Sequence, residues 1–194
     1  AAYDYQTPIR VVSRPSSALD DGDDDALIAR AVETVRLVIT RDSGEAELAF
    51  QRVHDALTGL PNRAEFDALV EARVSIAAES DAIVGVMLID IDRFTDLNSS
   101  LGSDAGDALL LAVARTLRRT AAPHVHVARL SSDEFGVVGV FDTFDSVIEQ
   151  AEAITSALDF EWEIAGMATR VTVSSGLAVH GGELSGAILV QRAA

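Results

Sequence analysis

The order of segments along this chain predicts an α+β protein, with a central, mostly antiparallel sheet covered by helices. Three observations carry that prediction. From residue 55 onward, helix-period and strand-like stretches follow one another as α-β-α-β-β-α-β-β-α. Two Val-rich runs in "VHVARLSSDEFGVVGV", residues 125–140, flank a polar turn and read as a hairpin. Hydrophobic residues fill 48% of the 194 positions and mean hydropathy is +0.23, enough to bury a core of ordinary size.

Residues 1–25 hold "PIRVVSRPS" and then "DDGDDD", and read as the tail of an upstream domain or a linker. The acids at its end suit the start of a helix, where the dipole is positive. From Ala26, the apolar residues Ile28, Ala31, Val32, Val35, Val38 and Ile39 keep helical spacing, and a second short stretch runs through Phe50 and Val53. Residues 26–54 are therefore expected to form a helical connector, packed on its own domain or paired with a partner helix.

The compact domain is placed at 55–194. In "LTGLPNRAEF", Asn62 stands three residues before Glu65, a capping-box spacing that starts a helix running to about Ala78. "AIVGVMLIDID", 82–92, is a buried strand ending in acids. Asn98 is read in a turn ahead of a Gly-bearing loop, and a helix with a basic last turn is expected over 106–121. After the hairpin come a helix at 144–158, a short strand at 161–164, a strand at 169–180 and a helix from Glu183 onward. The chain begins with Ala rather than Met and stops inside that last helix, which reads as a fragment of a longer protein.

Charge narrows the function classes. Thirty-one acidic residues against 15 basic give a formal net charge of −16, which repels phosphate backbones and anionic lipids. Polymeric nucleic acid and a membrane surface are thus excluded as main partners, whereas a small nucleotide carried with a divalent cation is compatible. There is no cysteine, hence no disulfide framework, and no apolar run is long enough to cross a bilayer, so a cytoplasmic segment is expected.

Three stretches place carboxylates where chemistry is feasible. Asp90 and Asp92 leave the strand in "LIDIDRF", on one face because side chains alternate. Asp133 and Glu134 stand at the hairpin tip, and meet Asp90 if the two strands are neighbours. Such hard oxygen donors suit Mg²⁺, though on the residues alone solvated turn acids are the simpler reading. In "FTDLNSSLGSDAGDALL", Asn98 and Asp107 carry groups that match the edge of guanine, or else serve a turn and a helix start. His124 and His126 alternate on a strand without a third ligand nearby and are read as structural, as is Trp162. Arg129, two residues before the turn, is read either as an ion-pair partner near the site or as an exposed strand residue.

Together, "DALTGLPNR", "DIDRF", Asn98, Gly106-Asp107 and "RLSSDEF" occur in the order found in the GGDEF family, the diguanylate cyclase domains of bacterial cyclic-di-GMP signalling, and the chain resembles that family over about 55–192. The resemblance implies a five-stranded sheet within helices, similar to the palm of nucleotide cyclases and polymerases. It implies that two GTP-loaded domains face each other as a homodimer, with Mg²⁺ or Mn²⁺, and release cyclic-di-GMP and two pyrophosphates. Carried over by motif, Asp90, the Ile91 carbonyl, Asp133 and Glu134 would hold metal. Asp133 and Glu134 would also be catalytic, and Asn98, Asp107, Ser131 and Ser132 would contact the nucleotide.

Departures from the family pattern are equally specific. Ser131-Ser132 replaces the signature Gly-Gly, whose lack of Cβ permits positive φ and close approach of the nucleotide. Thr95 stands where the family has Lys, which removes a cation from the phosphates. The Arg-x-x-Asp product-inhibition motif would fall on Ala122 and Val125 and is absent, and the family's last helix motif lies past the end of the chain. The combination implies a degenerate domain that binds GTP and regulates its neighbours with weak or no cyclase activity. The alternative is an active homodimeric cyclase that tolerates Ser-Ser. Upstream sensory and downstream phosphodiesterase domains are the neighbours the family implies.

Overall fold

The computed structural model describes residues 50–159, 161–164, 167–181 and 185–194. The proposed linker at 1–25, most of the connector at 26–54, the side chain of Trp162 and the expected helix start at Glu183 lie outside the described residues. Residues 50–53 are helical, and lead into the loop at 54–62.

Helix α1 spans Arg63–Ala78 and begins as its sequence requires, with the Asn62 side chain accepting a hydrogen bond from the Glu65 N–H at 3.1 Å. Its inward stripe is Phe66, Val70, Val74 and Ala77. Strand β1, Ile83–Ile91, is buried along nearly its whole length, which explains its unbroken apolar run. Hairpin strands β2 (Val125–Arg129) and β3 (Glu134–Phe141) follow, and β6 (Val173–His180) completes an antiparallel sheet in the order β2-β3-β1-β6. Among the described residues this sheet has four strands rather than five. Strands β4 (Glu161–Ile164) and β5 (Met167–Arg170) pair only with each other, as a separate ribbon.

Two expectations change on the other side of β1. Asn98 does not sit in a turn ahead of a loop. Helix α2 occupies Phe94–Leu101, Gly102 turns the chain at φ +88°, and α3 begins at once and runs Ser103–Thr120. Asn, Ser and Thr are weak helix formers, but Phe94, Leu97 and Leu101 recur at helical spacing and pack on the core, and that burial decides the conformation. Likewise, the single strand expected over 169–180 breaks at Val171-Thr172. Val171 turns into the core, and the chain passes from the ribbon to the main sheet.

Helix α4 spans Phe144–Leu158, capped by Thr143, whose hydroxyl accepts from the Ser146 N–H at 3.2 Å; helix α5 spans Gly186–Ala193. Alternation along β1 divides the core. Met87, Ile89 and Ile91 pack with α3 and α4 residues such as Leu109, Val113 and Ile154. Val84, Val86 and Leu88 pack with Phe66, Val70 and Leu189 of α1 and α5. The layers are helix, sheet, helix, and the polar ends of β1 and of the β2–β3 hairpin emerge together at one edge.

Candidate active site

Strand register brings the two acid clusters together. Asp90 of β1 lies opposite Glu134 of β3 on one side and Ser174 of β6 on the other. One residue on, the Ile91 N–H donates to the Asp133 carbonyl at 3.1 Å, so the hairpin tip is stitched to the end of β1. Burial pushes the Asp90 carboxyl up from its ordinary range, and the like charges of Asp133 and Asp92 push it further. Mutual repulsion of this kind is what a cation relieves. Asp90 and Asp133 supply hard oxygen donors that fit a divalent ion retaining water and substrate oxygens. Among the described residues no group of three or more Asp, Glu, His or Cys side chains converges as a metal cage.

Glu134 is otherwise engaged. Arg63, the first residue of α1, donates to Glu134 Oε2 at 2.7 Å. Ser131 and Ser132 are exposed at the tip, and Ser132 Oγ donates to Asp133 Oδ1 at 2.6 Å. Neither serine adopts the left-handed conformation that would call for glycine: among the described residues, Arg93 at φ +58° is the one non-glycine with positive φ. The Ser-Ser substitution is therefore accommodated without backbone strain here, and its effect is confined to the volume and polarity of two side chains.

The turn is held by a cluster that sequence reasoning left open or missed. Arg129 donates from Nε to the Ser131 carbonyl (3.1 Å) and from Nη2 to the Ser132 carbonyl (2.7 Å). Its Nη1 reaches both oxygens of Asp55, at 3.1 and 3.2 Å. Asp55 in turn accepts from the Thr58 N–H (2.8 Å) and hydroxyl (2.6 Å). Burial pushes the Asp55 carboxyl up, but the Thr58 hydroxyl and N–H, together with Arg129, outweigh it and hold the group below its ordinary value. Arg129 is thus a half-buried ion-pair residue, and the Asp55-x-x-Thr58 spacing was the signal that could have paired the loop with it. Arg63 gave less warning, since a helix-starting Arg has no pattern of its own.

Asn98 lies in the last turn of α2, with its Oδ1 buried and unpartnered against Gly106 of α3. A Cβ at Gly106 would fall on that oxygen, so glycine is what lets the two helices meet there. Asp107 follows Gly106 directly, just past the first turn of α3, and is exposed; the acid in the first turn is Asp104. The other candidates are accounted for structurally. His126 Nε2 accepts from Arg73 of α1, and His124 meets Phe141 edge-to-face. Cavities open on both sides of the hairpin tip. One of about 690 Å³ is lined by Asp55, Arg63, Arg129 and the two serines, and one of about 340 Å³ by Asp90, Glu134, Ser174 and Gly176.

An antiparallel sheet flanked by helices is also the fold that comparison with solved structures returns. The family profile described as "Diguanylate cyclase, GGDEF domain" matches residues 52–194. The diguanylate cyclase TpbB of Pseudomonas aeruginosa is 42% identical over 93 residues, covering 48% of this chain and 21% of that protein. The diguanylate cyclase DgcM of Escherichia coli K12 is 34% identical over 145 residues, covering 73% of this chain and 34% of that protein. In three dimensions, the coiled coil and GGDEF domain of DgcB from Caulobacter crescentus, solved with c-di-GMP, superposes with a TM-score of 0.73. The identity is 26%, over 87% of this chain and 90% of that one. This chain belongs to the GGDEF family, the diguanylate cyclase domains of cyclic-di-GMP signalling. It spans between a fifth and a third of the length of the two relatives. No helix among the described residues is long and apolar enough to cross a membrane.

Proposed function

We propose that this domain binds GTP with Mg²⁺ or Mn²⁺ in the cytoplasm and acts as a degenerate, regulatory GGDEF domain with weak or no cyclase activity. The observation that carries nucleotide binding is the register of Asp90 against Glu134, with Asp133 stitched to Ile91, in a family whose chemistry needs a cation between phosphates. The cation would neutralise phosphate charge, held by Asp90, Asp133 and the Ile91 carbonyl, with Glu134 in reserve while Arg63 pairs it. Asn98 brings a buried amide oxygen without a partner, and Asp107 an exposed carboxylate, to the α2–α3 side, where they would read guanine.

Degeneracy rests on what surrounds those groups. Two hydroxymethyl groups at Ser131 and Ser132 stand where a bare backbone would approach the substrate, and displacing reacting atoms by about 1 Å costs on the order of a hundredfold in rate. Thr95, exposed on α2, offers no charge to the phosphates. Ala122 and Val125 cannot supply an Arg-x-x-Asp site, so product inhibition at that position is not expected. Regulation would pass to sensory or phosphodiesterase neighbours, with homodimerisation through this domain and residues 26–54. The alternative, an active homodimeric cyclase, is favoured by the unstrained backbone at the serines and by Arg129's grip on their carbonyls.

Incubation with GTP and Mg²⁺, then Mn²⁺, followed by chromatography for cyclic-di-GMP, separates the two readings. Intact GTP recovered from folded, GTP-binding protein supports the regulatory reading; product that vanishes with Asp133→Ala supports the cyclase. Under the regulatory reading, Ser131→Gly with Ser132→Gly raises cyclase activity. No change, with GTP still bound, refutes the steric account.

A further inference from the structure

Asp92 is the second acid of "DIDRF", and its surroundings differ from those of Asp90. Both carboxylate oxygens are occupied by hydroxyls from the neighbouring strand β6 and the residue that leads into it. Thr172 Oγ1 donates to Oδ2 and Ser174 Oγ donates to Oδ1, each at 2.6 Å. The Asp92 N–H also donates to the Thr172 carbonyl at 3.0 Å. Three bonds therefore tie the last residue before the β1–α2 turn to the segment entering β6. The next residue, Arg93, holds φ +58°, a conformation that costs an L-residue energy and persists only where the surroundings enforce it. Arg93, at the N-cap of α2, makes no side-chain cap hydrogen bond to that helix.

We propose that Asp92 is a positioning residue rather than a cation ligand. With Thr172 and Ser174 it forms a latch that enforces the left-handed turn at Arg93. That turn fixes where the α2 N-terminus stands relative to Asp90 and a bound nucleotide. This role rests on the GTP-binding reading for its functional consequence, but not for its structural one. Thr172 continues the β1–β6 register opposite Asp92, with its backbone carbonyl and its hydroxyl both bonded to that residue.

The experiment compares wild type, Asp92→Ala, Asp92→Asn and the double variant Thr172→Val with Ser174→Ala. It reads GTP binding in Mg²⁺ by calorimetry and amide hydrogen exchange across 92–97. Asn is isosteric and can bond both hydroxyls, but carries no charge for a metal. The latch predicts that Asp92→Ala and the double variant each weaken GTP binding at least tenfold and speed exchange at 92–97. Asp92→Asn should stay within about threefold of wild type, and adding the double variant to Asp92→Ala should cost nothing more, as for groups acting as one unit. Asp92→Asn failing as badly as Asp92→Ala while the double variant binds normally would overturn the proposal, making Asp92 a charge-bearing ligand. Should wild type not bind GTP at all, the nucleotide reading fails, yet exchange still decides the latch: unchanged rates at 92–97 in Asp92→Ala refute it.

Discussion

Replacing Arg129 with Ala tests whether the signature turn is held from below by one guanidinium. The change removes four hydrogen bonds, two to the Ser131 and Ser132 carbonyls and two to Asp55. Breaking a fully buried ion pair costs about 3–5 kcal/mol, and losing an exposed one less than about 1 kcal/mol. Arg129 and Asp55 side chains are 11% and 24% exposed, and Asp55 keeps both bonds from Thr58. The expected loss is therefore about 2–3 kcal/mol, read as roughly 1 M in urea midpoint or roughly 4–12 °C in Tm. Arg129→Lys should recover only part of this, because an ammonium cannot span Asp55 and two carbonyls at once. The pH dependence has a definite sign. Asp55 is held below its ordinary value, so its contribution is present above the unfolded carboxyl value near 3.9 and lost as pH falls through the lower folded one. The gap between wild type and Arg129→Ala should narrow below about pH 4. A loss under about 0.5 kcal/mol, or Arg129→Lys indistinguishable from wild type, would refute the reasoning.

Two other perturbations follow from the charges. Asp90 has its carboxyl pushed up by burial and by Asp133 and Asp92, so its ionised form opposes folding at neutral pH without metal. Asp90→Asn should raise the metal-free Tm at pH 7, lose that advantage near pH 4, and abolish stabilisation by Mg²⁺ with GTP; a lower metal-free Tm would count against the repulsion. His126 is pushed down by burial and then by Arg73, which keeps its ring neutral to accept the Arg73 N–H. Its stabilisation is present above the unfolded value near 6.5 and fades as pH falls below it, so His126→Gln should flatten the stability profile between pH 7 and 5, and parallel profiles would refute the assignment.

Local signals were sufficient wherever a residue acts on its own neighbours. The Asn62 cap, the central β1 run, the 144–158 helix and the hairpin around "SSDE" were legible because capping, period and turn chemistry are short-range. Helix α2 was missed because its propensity is poor and only packing of Phe94, Leu97 and Leu101 supports it. The site residues Asp90, Asp133, Glu134, Asn98 and Asp107 were legible as a motif set, whereas Arg63, Asp55 and the Thr172–Ser174 pair act on partners 71, 74 and about 80 residues away.

By itself, then, the sequence determined the α+β class, the position of the acid clusters and membership of the GGDEF family, since each is written in residue types at short spacing. Tertiary structure alone decided that Asp90 faces Glu134, that Arg63 pairs with Glu134, and that Arg129 grips the serine turn without positive φ. The reason is physical: strand register and ion pairing between distant segments depend on how two core layers close around β1, and no local pattern encodes that closure.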